Sequence, residues 1–348
     1  MSQHTALRAD EETIIELDAR PTHESFGDVD ALMPSAPEPK DIYIQAPLGF
    51  RLENGDLLND RHIRLRRHGR RTAPPVLVMG GIAHDRRLAG ADGWWSQIVG
   101  WGGAIDLNRN CALGLDFAPL ADEEVVLSPK AQARLIAHAL DRLDIECLPA
   151  IVAASYGAMV ALTFAAQYPS RVQRLCIIQG AHRPSTMALA WRGVQRRVVQ
   201  FGLAHNDGER ALELARQLGH ANHRGAAEFC ERFNCIVGQD GASDLDRHLI
   251  AQARHTEETM GPRRWLSLSA SLDRAMVAPE LIKARTTIIA CPTDQVVAFS
   301  DIQELITRLR HFTALHMLAS IHGHDAFLEE PDRLGPIIEA FMAGARDV

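Results

Sequence analysis

Ile151-Val152-Ala153-Ala154-Ser155-Tyr156-Gly157-Ala158-Met159-Val160-Ala161-Leu162 is the stretch on which the reading of this chain turns. Its first four residues continue an apolar run from Leu148, as in a strand buried on both faces. Its last residues lead into Thr163-Phe164-Ala165-Ala166 with helical character. Between them Ser155 occupies a small-x-Ser-x-Gly turn. Small neighbours let the backbone bend sharply and lift a serine hydroxyl over the sheet, where it is placed for nucleophilic attack. Ala153 stands where glycine is usual; as the next smallest residue it still fits between strand and helix. Strings of this kind also arise by chance, so the turn needs support from the rest of the chain.

Similar apolar runs lie at 76–79, 111–115, 175–178 and 287–290, separated by Ala-rich and Leu-rich stretches with helical spacing. Strands covered on both faces and crossover helices produce this pattern, so the fold class is α/β with a mainly parallel sheet. Ahead of them, residues 49–56 alternate around the Asn54-Gly55 turn signal and 62–66 alternate again, which predicts an antiparallel hairpin at one sheet edge. Residues 1–40 are polar and end in Pro34-Ser35-Ala36-Pro37-Glu38-Pro39-Lys40, predicting a loose arm. Strand-like runs vanish across 183–276, where helical periodicity at 208–218 and 226–233 predicts a helical cap. That cap is inserted into a core made of 41–182 and 277–348, which closes with a helix at 331–342.

The bulk properties narrow the function. The chain has 348 residues, 46% hydrophobic and 23% charged, the composition of a globular protein large enough for a deep pocket. A net charge of -7 opposes a nucleic-acid or anionic-membrane surface, which needs a basic stripe to displace counterions. The six cysteines, Cys111, Cys147, Cys176, Cys230, Cys235 and Cys291, are scattered without zinc-site spacing and read as reduced, mostly buried thiols. The 16 histidines supply no metal-ligand pattern, so no metal is expected. The first residues lack the basic and apolar regions of a signal peptide, and no run approaches the roughly 20 apolar residues of a spanning helix. A cytoplasmic enzyme is the expectation.

Two further residues give Ser155 its support. Asp294 follows the strand that ends in Ala290-Cys291-Pro292, and His324 lies in the Gly323-His324-Asp325 loop before the last helix. A serine hydroxyl is a poor nucleophile at neutral pH; it needs an imidazole to take its proton and a carboxylate to hold that imidazole's tautomer. The order Ser155, Asp294, His324 is that of the α/β-hydrolase fold, which the chain is expected to adopt. An oxyanion on the reacting carbonyl needs two preorganised donors. The N–H of Tyr156 supplies one, and the Gly80-Gly81-Ile82-Ala83 loop supplies the other, assigned to Ile82.

Several blocks over residues 48–342 resemble the homoserine O-acyltransferases, a branch of that fold. They are Gly93-Trp94-Trp95 with Val99-Gly100-Trp101-Gly102-Gly103-Ala104-Ile105-Asp106, the Ser155 turn, Val194-Gln195-Arg196-Arg197, the stretch 211–219, and Gly323-His324-Asp325-Ala326-Phe327-Leu328. The resemblance implies a ping-pong transfer from acyl-CoA, as co-substrate, to L-homoserine through an acyl-Ser155 intermediate, in methionine biosynthesis. It further implies that Arg216 pairs with the acceptor carboxylate and Asp325 with its ammonium, and that the cap forms a homodimer. The chain departs from the family where Gly80-Gly81-Ile82-Ala83 replaces His-Ala-Leu-Thr, where Leu113 to Pro119 replaces a Gly-Ser-rich stretch, and where His223 matches a common Tyr. The Gly-Gly-Ile and Ala-Ser-Tyr-Gly forms lean towards a succinyl donor. Gln295-Val296-Val297, next to Asp294, offers no cation for a succinyl carboxylate and leans towards acetyl. Arg86, Arg87, Arg183 and Arg192 are the candidates to supply that charge. Serine as acceptor, water as acceptor in an esterase or thioesterase, and a non-catalytic binding protein stay open as alternatives.

Overall fold

Each apolar run is a strand whose successive side chains enter two different cores. The computed structural model describes residues 14–18, 37–125, 127–255 and 260–344. In chain order it comprises β1 (Ile14–Asp18), β2 (Lys40–Gln45), β3 (His62–His68), β4 (Pro75–Met79), the short β5 (Val99–Gly100) and β6 (Ile105–Asp106), and β7 (Cys111–Leu115). Then follow α1 (Pro129–Arg142), β8 (Ala150–Ala154), α2 (Tyr156–Gln167) and β9 (Arg174–Ile178). Helices α3 (Thr186–Ala204), α4 (Gly208–His223), α5 (Ala226–Arg232), α6 (Asp244–His255) and α7 (Pro262–Leu272) come before the next strand. The chain ends in β10 (Arg285–Ala290), α8 (Phe299–Arg308), β11 (Phe312–Met317), α9 (Ala326–Glu329) and α10 (Pro331–Met342).

Nine strands form one sheet in the order β1-β2-β3-β7-β4-β8-β9-β10-β11, parallel from β7 to β11 and antiparallel at the β1-β2-β3 edge. On β4, Leu77 and Met79 face a core shared with Leu135 and Leu140 of α1 and Val160 and Phe164 of α2. Val76 and Val78 face the other core, with Trp95, Ile98 and, from α10, Leu334 and Ile338. β8, β9 and β10 alternate in the same way, so a period-two chain reads as a continuous apolar run. Burying a Leu, Ile or Phe contributes about 1.5–3 kcal/mol, so this double-sided burial is the main force setting the sheet.

The α/β-hydrolase expectation holds, with two local corrections. The antiparallel partners of His62–His68 are β2 and β7, not residues 49–56. Ile42 pairs with Leu65 and Ile44 with Ile63, matching buried apolar residues across the ladder, whereas the Asn54-Gly55 turn closes only the isolated bridge Arg51 to Leu57. Long-range register defeats a local turn signal here. Residues 14–18, read as part of a loose arm, form the edge strand β1 against β2. The rest of that arm up to residue 36 lies outside the described residues. Cys111, Cys176 and Cys291 are buried, but Cys230 and Cys235 are exposed. Among the described residues no helix is long and apolar enough to cross a membrane, and no cluster of His, Cys, Asp or Glu is suited to a metal ion.

Candidate active site

Parallel strands end at the same edge of the sheet, so the loops leaving β4, β8, β9, β10 and β11 converge there. Ser155 leaves β8 directly, with φ 54° and ψ -120°. A non-glycine residue at positive φ is held there against a cost of about 1–3 kcal/mol. Close packing over-determines it. A Cβ on Gly157 would lie 2.6 Å from Met79 Cβ, and one on Gly180 would lie 2.3 Å from Ala158 Cβ. Ser155 makes no side-chain cap to α2. Its Oγ stands instead 2.8 Å from His324 Nε2.

His324 Nδ1 lies 2.7 Å from Asp294 Oδ2. An ionised carboxylate only accepts, so Nδ1 carries the hydrogen and Nε2 is left bare to accept from the serine hydroxyl. Asp294 has four donors: His324 Nδ1 and Gln179 Nε2 (3.0 Å) on Oδ2, and the N–H groups of Val296 (2.8 Å) and Val297 (3.0 Å) on Oδ1. Burial pushes its pKa up, but the charge and hydrogen bond of His324 and the other donors outweigh it, and the net shift is downward. His324 is the mirror case. Burial disfavours its charged form, the Asp294 carboxylate more than compensates, and its pKa is raised. The structure thus brings Ser155, His324 and Asp294 into one hydrogen-bonded line.

Tyr156 is the first residue of α2, so its N–H has no partner within the helix. Its ring is fully buried, packs edge-on against Phe117 and donates or accepts at Ser271 Oγ (2.7 Å), and burial pushes the phenol up to about 12. Ile82 lies in the turn after β4, beside Ser155. Among the described residues, neither its N–H nor that of Tyr156 meets a protein acceptor.

These residues open onto a cavity of about 580 Å³ between the strand-end loops and the helices inserted after β9. Arg216 and Asp325 both line it. Arg216, on α4, is buried and donates from Nη2 to Met260 O at 3.2 Å. Glu213, on the same helix, pairs with Arg254 (3.2 Å). Asp325 makes no side-chain cap to α9; it binds Arg224 Nε at 2.9 Å and lies 3.8 Å from His223 Nδ1. The His223 ring sits 5.2 Å from that of His324, and burial lowers its pKa to about 4 against the pull of Asp325.

Of the four candidate arginines, Arg86 is held between Asp41 and Asp116, Arg87 by Asp85, and Arg183 by Asp301 and Glu304. Arg192 pairs through Nε with Asp273 at 2.6 Å, while its buried Nη2 has no hydrogen-bond partner among the described residues. It lines the cavity and also a small recess shared with Ser155 and His324.

Sequence reading passed over Gln179. It leaves β9 at φ 46°, and its side chain ties the acid and base loops together: Nε2 donates to Asp294 Oδ2 and to Gly323 O (2.9 Å), and Oε1 accepts from Phe327 N–H (3.1 Å). Its signal was a polar residue directly after the buried run Leu175-Cys176-Ile177-Ile178, the position that Ser155 occupies after β8. The α4–α5 turn is likewise seated on the base loop. A Cβ on Gly323 would meet His223 O at 2.4 Å, and one on Gly225 would meet Ile321 O at 2.3 Å.

No protein-family model matches the chain. It is 35% identical over 290 residues to the homoserine O-succinyltransferase of Xanthomonas campestris pv. campestris, covering 80% of this chain and 78% of that one. Identity to the homoserine O-acetyltransferase of Geotalea daltonii is 26%, over 88% of this chain and 98% of that one. To the serine O-succinyltransferase of Litchfieldella anticariensis it is 26%, over 77% and 88%. Among solved structures, esterase E22 superposes with a TM-score of 0.77 at 17% identity, covering 87% of this chain and all of that one (100%). The homoserine O-acetyltransferase of Bacillus anthracis gives 0.77 at 15% identity, with coverages of 90% and 100%. Those two structures bear on the fold alone; the sequence relationship goes further. By it the chain belongs to the homoserine O-acyltransferase family of the α/β-hydrolase fold, and is an acyltransferase.

Proposed function

We propose that the chain transfers an acyl group from acyl-CoA to the side-chain hydroxyl of L-homoserine, in methionine biosynthesis, by a ping-pong scheme through acyl-Ser155. The observation that carries this reading is the Ser155–His324–Asp294 line opening onto a cavity whose wall holds the buried Arg216 and the Asp325 carboxylate, beside Arg192, Arg224 and Glu329. A zwitterionic acceptor requires one fixed charge of each sign, and a guanidinium can grip a carboxylate through two parallel hydrogen bonds.

In the first half-reaction Ser155 Oγ attacks the thioester carbonyl as its proton passes to His324 Nε2. The N–H groups of Ile82 and Tyr156 receive the oxyanion. The C–S bond breaks, the proton goes to the departing thiolate, and the acyl group stays on Ser155. In the second, His324 takes the proton of the acceptor hydroxyl, whose oxygen attacks the acyl carbonyl, and Ser155 regains its proton as the ester is released. Asp294 fixes the tautomer throughout and stabilises the imidazolium. Succinyl is the favoured acyl group, because Arg192 offers a buried guanidinium nitrogen beside Ser155 to the distal carboxylate.

We place the enzyme in the cytoplasm, working as a homodimer joined through the cap at 183–276. Met187 and Phe201 of α3 support that interface, being 60% and 67% exposed. The function is tested by following CoA thiol release from succinyl-CoA and acetyl-CoA with and without homoserine. Release beyond a single turnover that requires homoserine, faster with succinyl-CoA, is expected. Release of equal rate without an amino acid would make the chain a thioesterase, and release that serine supports better would change the acceptor.

A further inference from the structure

Gly81 and His84 hold each other twice. The His84 N–H donates to Gly81 O at 3.0 Å, closing a β-turn, and the Gly81 N–H donates back to His84 Nδ1 at 2.9 Å. A ring nitrogen that accepts carries no hydrogen, so the imidazole is the Nε2–H tautomer. Its orientation is set from both sides. The ring stacks on Trp94 with centroids 4.3 Å apart and 22° between planes, and it meets Phe327 edge-on at 6.0 Å. Trp94 is itself stacked on Trp95 and donates from Nε1 to Asp85 O at 3.0 Å. Gly80 leaves room for the ring, since a Cβ there would lie 2.5 Å from His84 Nδ1. Burial lowers the imidazole's pKa to about 4 against the pull of Asp325 and Asp85, so it still accepts at neutral pH.

The position of this clamp gives it a consequence for the reaction. A β-turn leaves the N–H groups of its two central residues, here Ile82 and Ala83, outside its own hydrogen bonds. The turn lies against the nucleophile: a Cβ on Gly81 would be 3.8 Å from Ser155 Oγ. With its own N–H committed to His84, Gly81 is withdrawn as an oxyanion donor, which leaves the turn's two central N–H groups, that of Ile82 following Gly81 directly.

We propose that His84 is a positioning residue, whose Nδ1 clamps the Gly81–His84 turn so that the Ile82 N–H meets the oxyanion formed on Ser155. The inference deepens the proposed function and rests on its reading of Ser155 as the nucleophile. The stacked tryptophans serve as the wall that holds the ring in register.

The test uses p-nitrophenyl acetate, an activated ester that needs the oxyanion donors but neither the natural donor nor the acceptor. The pre-steady-state acylation rate and KM are measured for the wild type, Ser155→Ala, His84→Phe, His84→Ala and His84→Asn, with circular dichroism as the folding control. Phe keeps the stack and loses the acceptor; Asn loses the ring and offers Oδ1 near the place of Nδ1. Both His84→Phe and His84→Ala are expected to slow acylation about 100-fold with little change in KM, as for a misplacement of roughly 1 Å, while His84→Asn recovers most of the rate. His84→Phe at the wild-type rate, or a folded His84→Asn as slow as His84→Ala, would overturn the inference while leaving the function standing. Nitrophenolate release that survives Ser155→Ala would overturn both.

Discussion

The floor and the roof of the cavity differ in how their functional groups are held. On the floor, Ser155, Asp294, His324 and Gln179 sit in loops that leave the ends of parallel strands, and every polar side-chain atom of Asp294 and Gln179 is engaged. On the roof, Arg216 and Arg192 hang from helices, and Arg224, at the end of α4, reaches across the gap to Asp325 in the base loop. In the proposed reaction the strand-end loops supply the acylating machinery, whereas the helices after β9 supply the cation for the acceptor's carboxylate. Damage to the floor should therefore stop acylation of any ester. Damage to Arg216 on the roof should spare acylation and spoil transfer to homoserine.

The largest effect expected is for Asp294→Asn, which leaves the shape intact but presents the wrong hydrogen to His324; acylation by p-nitrophenyl acetate should fall about 10⁴-fold. Arg216→Ala comes next. Its kcat/KM for homoserine should drop about 100-fold, through KM, while acylation by the ester stays near the wild-type rate. Equal losses in both assays would erase the distinction between floor and roof.

The pH profile sharpens the floor. His324 must be neutral to act as base, and its raised pKa places the acidic limb of kcat/KM above the ordinary imidazole value of about 6.5; in Asp294→Asn burial and the charge of Arg192 act against that of Asp325, and the limb moves down. Stability follows the opposite order. The raised His324 contributes fully below about 6.5 and loses that contribution as pH rises through its folded pKa. The lowered Asp294 contributes above about 3.9 and loses it as pH falls through its folded pKa. Their joint contribution is therefore largest between roughly pH 4 and 6.5, which urea unfolding at a series of pH values would reveal. The smallest effect is assigned to Glu213→Gln. Because Glu213 pairs with the exposed Arg254, stability should change by less than about 1 kcal/mol and KM for homoserine should not move.

Most of the floor was legible in the sequence. A parallel strand buried on both faces is a run of apolar residues, and the polar residue that follows marks the edge where loops converge, as Ser155 and Asp294 do. Gln179 obeyed the same rule and was overlooked because an amide suggests no chemistry on its own. His84 was hidden for a different reason. Its role lies in a reciprocal hydrogen bond across a turn, a feature of backbone geometry that residue types do not announce. β11 escaped because an edge strand is only half buried, so Phe312-Thr313-Ala314-Leu315-His316-Met317 shows no continuous apolar run. On the roof, residue identities were legible but pairings were not. The salt bridges Arg254–Glu213 and Arg224–Asp325 join residues far apart in sequence, and only the fold selects them.

The central claim, that Ser155 carries the acyl group, is met most directly by intact-protein and peptide mass spectrometry after mixing with succinyl-CoA alone and then adding homoserine. A succinyl adduct should appear on Ser155 and nowhere else, persist without an acceptor, and vanish within the dead time when homoserine is added, with an O-acylated amino acid in its place. The absence of any adduct on Ser155 under conditions where thiol is released would contradict it.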